Sequence, residues 1–246
     1  MNASIIAAMG VGFALGLKHA LDADHLAAVA VMVSGRRRSI SGASLVGVIW
    51  GVGHAAALTT VGFAVVLLGV RVPIRLASLM EAAVGVVLVV MGGRLLLTMR
   101  RGTVLHAHAH IHGWRLHFHP HLHPHGTGRE DPAHHPLGAR AERIVASAGP
   151  RMNPFLVGLL HGTAGSAALM LVIVTTLETT GARLAYVLLF GLGSVAGMAC
   201  MSALVGIPFL IGGPLEGRTR AGLRLAAGGI SVALGLSMLW RFAPGL

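Results

Sequence analysis

Six stretches of this chain, roughly residues 4–34, 43–70, 76–98, 153–180, 184–212 and 221–241, are apolar over about the 20 residues that a helix needs to cross a bilayer. Hydrocarbon offers backbone amides no partner, so segments of this kind must satisfy their own hydrogen bonds as helices. The expected fold class is therefore an all-α polytopic membrane protein with about six transmembrane helices. Composition agrees: of 246 residues 54% are hydrophobic and 11% charged, which excludes water-soluble enzymes and disulfide scaffolds. The single cysteine, Cys200, excludes an internal disulfide or a dithiol redox pair. Met1 to Met9 lacks a basic leader and reads as the start of a retained span.

Between the third and fourth runs lies a polar stretch, residues 100–152, that holds 11 of the 15 histidines. It divides the chain into a first three-helix repeat (1–99), a His-rich polar loop (100–152) and a second three-helix repeat (153–246). The halves resemble one another. A shift of 142 positions lays Phe13, Gly16, Leu17 and His19 on Phe155, Gly158, Leu159 and His161, and a shift of 140 lays Trp50-Gly51-Val52-Gly53 on Phe190-Gly191-Leu192-Gly193. Three spans per half forces the second half to cross in the opposite sense, which predicts two inverted repeats.

Lys and Arg outnumber Asp and Glu by 19 to 8. The arginines gather in short loops and no basic face carries interleaved aromatics, so the excess fixes orientation and does not bind nucleic acid. Arg36, Arg37, Arg38, Arg100, Arg101, Arg218 and Arg220 mark the cytoplasmic side, which puts the His-rich loop inside and both termini outside a bacterial inner membrane.

The chemistry is concentrated in Lys18-His19-Ala20-Leu21-Asp22-Ala23-Asp24-His25, within the first apolar run. Each ionisable residue at a helix centre costs about 2.5 to 3.5 kcal/mol on insertion scales, so Lys18, Asp22 and Asp24 need compensation. On an intact helix His19, Asp22 and His25 share a face, with Lys18 four residues from Asp22, and Asp24 points elsewhere. Either a neighbouring span answers Asp24, or the helix unwinds locally and Asp24 joins the two histidines. Imidazoles with carboxylates suit a divalent first-row cation such as nickel, cobalt or zinc, whereas a purely structural network would pair Lys18 with Asp22.

His54, after Gly53 in the second run, is placed to add a nitrogen from another helix. His161, Thr163 and Ser166 of the fourth run, with Lys18 and Asp22, are candidates to support the ligands or line the ion's path, though the small residues around His161 also suit close packing. His106, His108, His110, His112, His117, His119, His121, His123 and His125 alternate along a stretch too poor in apolar residues to fold alone. That loop reads as disordered until it captures metal. Catalysis is not expected: His161 and Ser166, five residues apart, diverge by about 140° on a helix, and no phosphate-binding G-x(4)-G-K-[ST] loop is present.

His19-Ala20-Leu21-Asp22-Ala23-Asp24-His25 resembles the H-x(4)-D-H signature of the nickel/cobalt transporter (NiCoT) family, and Gly53-His54 resembles its second motif. The third motif is met only by His161-Gly162-Thr163-Ala164-Gly165-Ser166, without its acids, and with six spans the chain is more similar to the shorter UreH-like branch. The resemblance implies a permease for Ni(II) or Co(II) that supplies nickel enzymes such as urease. It implies His19, Asp24 and His25 as core ligands and His54 as a contributor. The expected partners are the cation, membrane lipid and cytosolic nickel-delivery proteins, with no resident cofactor.

Overall fold

A computed structural model describes residues 3–34, 39–70, 73–101, 103–112, 115–124, 153–164, 174, 176–210 and 216–242. Among these, the helices are α1 (Ala3–His19), α2 (Ala23–Ser34), α3 (Ile40–Leu68), α4 (Ile74–Arg101), α5 (Pro154–Gly162), α6 (Thr180–Leu210) and α7 (Glu216–Phe242). Four of them are long and apolar enough to cross a bilayer: Ile40–Leu68, Ile74–Met99, Thr180–Phe209 and Thr219–Phe242. They coincide with the second, third, fifth and sixth expected spans. Of the fourth, α5 is described and residues 165–173 lie outside the described residues.

The first span is not continuous. Asp22 and Asp24 cannot both be met from one face of an unbroken helix, and the chain breaks at Ala20–Asp22. The α ladder tightens there into i→i+3 bonds, Leu21 N to Lys18 O (2.9 Å) and Asp22 N to His19 O (3.1 Å), before Leu26 N restarts it on the Asp22 carbonyl (3.0 Å). Asp24 then falls in the first turn of α2, where the positive end of the helix favours a carboxylate.

Other boundaries follow local chemistry. Ser39 caps α3 by accepting from Gly42 N, and Gly69 ends it with φ 64°, which a side chain would resist. Asn153 accepts from Phe155 N and Pro154 opens α5, where its missing N–H is not needed.

Helices approach closely through glycines facing backbone. A methyl on Gly16 (α1) would collide with the Phe190 carbonyl (α6), and one on Gly193 (α6) with the Phe13 carbonyl (α1). The α3–α5 crossing repeats the arrangement: Gly158 meets the Trp50 carbonyl and Gly53 the Phe155 carbonyl. These four glycines and their partners are the residues matched by the internal shifts of 142 and 140, so the sequence similarity corresponds to two like joints. Elsewhere Gly85 and Gly92 of α4 face Gly235 and Gly228 of α7, and Ser231 donates to the Leu88 carbonyl (2.8 Å). Large apolar side chains such as Leu68, Ile74 and Trp240 point outward, 74%, 84% and 78% exposed, as a surface against lipid tails requires.

Two compact units are present, Met1–Leu95 with Asn153–Leu246, and Leu96–Met152. In the second, two strands occupy residues 103–124 of the stretch expected to stay disordered until it captures metal. β1 (Thr103–His112) and β2 (Arg115–Pro124) pair antiparallel. The physical reason is the alternation itself: His-x-His-x has the two-residue period of a strand, so every second position shares one face. The register sets His106 opposite His121, His108 opposite His119 and His110 opposite His117. His125, His134 and His135 lie outside the described residues.

Candidate metal centre

The break between α1 and α2 makes the site. His19 ends α1, His25 lies in the first turn of α2, and His54 lies midway along α3. All three are buried, at 6%, 2% and 0% exposure. A ligating atom from each falls within 4.8 Å of the others. His19 Nε2 and His54 Nε2 are 3.2 Å apart, and the His25 ring stands edge-on to both, with centroid separations of 4.5 and 5.1 Å. Two nitrogens bound to one first-row ion at about 2.0–2.1 Å are themselves separated by roughly 3 Å, so the spacing suits a shared cation.

The carboxylates orient these rings. His19 Nδ1–H donates to Asp22 Oδ2 (2.7 Å) and His25 Nδ1–H donates to Asp24 Oδ1 (2.9 Å). Each bond leaves Nε2 without a proton, the arrangement in which an outer carboxylate fixes the tautomer of a ligating imidazole, and at His19 that nitrogen accepts from His54 Nε2–H. His25 Nε2 is buried and has no hydrogen-bond partner among the described residues. Asp22, Asp24 and His25 form a second, more exposed group whose ligating atoms also lie within 4.8 Å of one another.

Of the two sequence alternatives, local unwinding is the one realised, and Asp24 reaches His25 as a result. The rival pairing of Lys18 with Asp22 is not observed: the break turns Asp22 onto His19, and Lys18 is exposed with no ion pair among the described residues. His161, expected to support the ligands or line the ion's path, has its ring centroid 5.6 Å from that of His25 and is 1% exposed. Thr163 serves the end of α5, with Oγ1 donating to the Leu160 carbonyl (2.8 Å). Ser166 lies outside the described residues.

Two aromatic residues at the site escaped the sequence reading. Phe190 packs on His19 (5.7 Å) and Trp50 packs on His25 and His161 (5.3 and 5.8 Å). Trp50 and Phe190 are counterparts under the shift of 140, as His19 and His161 are under 142, which was the available signal.

Apolar helices long enough to span a bilayer, enclosing a buried group of histidines, define a polytopic membrane protein. Over 207 residues, covering 84% of this chain and 79% of the relative, the sequence is 30% identical to the urease accessory protein UreH of Bacillus sp. (strain TB-90). The chain belongs to the UreH-like branch of the nickel/cobalt transporter family. No protein-family model matches the chain, and no solved structure matches it.

Proposed function

We propose that this protein is a secondary permease that carries Ni(II) or Co(II) inward across the cytoplasmic membrane and supplies nickel enzymes such as urease. The observation that carries the reading is the convergence of His19, His25 and His54 from three separate helices in a buried, apolar surround. Three imidazoles brought together without an ion leave polar atoms unmet, because His54 Nε2 and His19 Nε2 can bond each other while His25 Nε2 and His54 Nδ1 have no partner among the described residues. A cation that has shed its water supplies what they lack. His19, His25 and His54 bind the ion, while Asp22 and Asp24 hold the rings and provide the negative charge that offsets the cation.

The two like joints, Gly16–Phe190 with Gly193–Phe13 and Gly158–Trp50 with Gly53–Phe155, support a layout of two inverted three-helix repeats around the site. Rocking of one repeat against the other would expose the ion alternately to the two sides. In the 103–124 hairpin the backbone register sets histidines opposite one another. Such pairs suit capture of the delivered cation on the cytoplasmic side, ahead of transfer to cytosolic nickel-delivery proteins.

Proteoliposomes containing only this chain, with an imposed proton gradient and radioactive nickel outside, test the reading. Parent protein is expected to concentrate nickel. Asp24→Asn is expected to reduce affinity and flux by about 10- to 100-fold, the usual cost of losing a carboxylate behind a ligating imidazole. Deletion of residues 106–135 is expected to leave flux intact and alter only its apparent affinity. Nickel expelled from preloaded vesicles and not accumulated would reverse the direction, and no flux in either sense would reduce the protein to a metal-delivery scaffold.

A further inference from the structure

The second half of the protein also sends an imidazole to the centre. His161 is one residue from the end of α5 and 1% exposed. Its Nδ1–H donates to the Val157 carbonyl at 3.0 Å, which places the proton on Nδ1 and leaves Nε2 as an acceptor. That Nε2 is buried and has no hydrogen-bond partner among the described residues. A histidine retained for packing alone would gain nothing from an unmet lone pair in an apolar interior.

Its backbone setting reproduces that of His19. Beyond His161 the ladder tightens as it does beyond His19: Thr163 N bonds Leu160 O (3.3 Å) and Ala164 N bonds His161 O (3.1 Å), the counterparts under the same shift of Leu21 N to Lys18 O and Asp22 N to His19 O. Each histidine carries an aromatic ring at nearly equal separation, Phe190 at 5.7 Å from His19 and Trp50 at 5.8 Å from His161. Two helices therefore end with an imidazole at one place, α1 from the first half and α5 from the second. Helix C-termini carry partial negative charge, which favours a cation near the ends of α1 and α5, whose histidines both pack beside His25.

We infer that His161 Nε2 is a direct ligand of the transported cation, contributed by the second half. The ion is then held by His19, His25 and His54, and His161 joins them from beside His25, its ring centroid 5.6 Å away. This inference rests on the proposed metal-carrying role and specifies its ligand set. The chemistry of such a set favours Co(II), Ni(II) and Zn(II), and discriminates against Mg(II), Ca(II) and Mn(II), which prefer oxygen. Asp22 and Asp24 act on the ion through the rings that they hold.

The test uses full-length protein in detergent, with the loop histidines from His106 to His135 changed to asparagine in every arm so that only the membrane centre binds Co(II). The parent is expected to bind one Co(II) with the visible absorption of a low-coordinate nitrogen site. His161→Gln is expected to weaken Co(II) binding by about 100-fold or more, at least the cost of losing an outer-shell partner, while the thermal midpoint of the metal-free protein stays within a few degrees of the parent. His161→Cys gives the direct readout, because a thiolate-to-cobalt charge-transfer band in the near ultraviolet arises only if residue 161 touches the metal. That band, absent from the parent, supports the inference even if the glutamine variant fails to fold. Parent-like Co(II) affinity in His161→Gln, or tight Co(II) binding by His161→Cys without the band, overturns the inference and leaves the metal-carrying role standing. Absence of Co(II) binding by the parent overturns both.

Discussion

Vesicles carrying His25→Ala protein are expected to accumulate nickel at least about 100-fold more slowly than vesicles carrying the parent. His25 is the residue on which the site turns: its Nδ1–H is held by Asp24, and its ring faces those of His19, His54 and His161. Alanine removes one nitrogen ligand, leaves Asp24 without its imidazole partner and opens a cavity at a position 2% exposed. Losing only the orienting group behind a ligand costs 10- to 100-fold, so losing the ligand itself costs at least the upper figure. The measurement is the initial rate of radioactive nickel uptake, with protein quantity and orientation matched. A parent-like rate would remove His25 from the path of the ion and, with it, the three-imidazole centre.

The largest effect on the fold is expected from Gly158→Ala. A methyl there meets the carbonyl of Trp50 and lies 2.9 Å from the His54 amide nitrogen, both backbone atoms that no rotamer change can move. The α3–α5 crossing has to spread, and overpacking of that kind costs about 1–3 kcal/mol or more. The same crossing holds His54 and His161 in place, so metal affinity falls together with stability. Gly229, in α7, is the control: a methyl there meets nothing within 4 Å, and alanine gains about 1 kcal/mol of helix propensity. The thermal midpoint in detergent reads both. Gly158→Ala is expected to lower it by several degrees or to yield no folded protein, and Gly229→Ala to leave it unchanged or slightly raised. Equal midpoints for the two variants would contradict the close α3–α5 approach.

Apolar length alone identified the four long helices, because hydrocarbon imposes one backbone solution on any run of that size. The buried histidines of the first half were legible for a related reason: Asp22 and Asp24 are too costly in lipid to lack a role. The break at Ala20–Asp22 was legible only as one of two alternatives. Helical periodicity cannot report where a helix stops when neither glycine nor proline marks the place, and Leu21 and Ala23 are ordinary helix formers. His161 was undervalued because its segment lacks an acid, and sequence spacing does not show that its Nδ1 is taken by a carbonyl while Nε2 is bare. In the His-rich loop, low apolar content and the strand period of the alternating histidines point in different directions, and the reading followed the first.

The glycine-to-carbonyl joint is made twice, once between α1 and α6 and again between α3 and α5. On the proposed carrier role, sliding that strains one copy has a counterpart in the other, related by a pseudo-twofold rotation, which gives two resting shapes of comparable free energy and needs no motor to pass between them. The electrical field then sets the bias. A doubly charged ion moving down 100 mV releases about 4.6 kcal/mol, a concentration ratio of roughly 10³, which would bias the proposed carrier toward uptake into a cell with a negative interior.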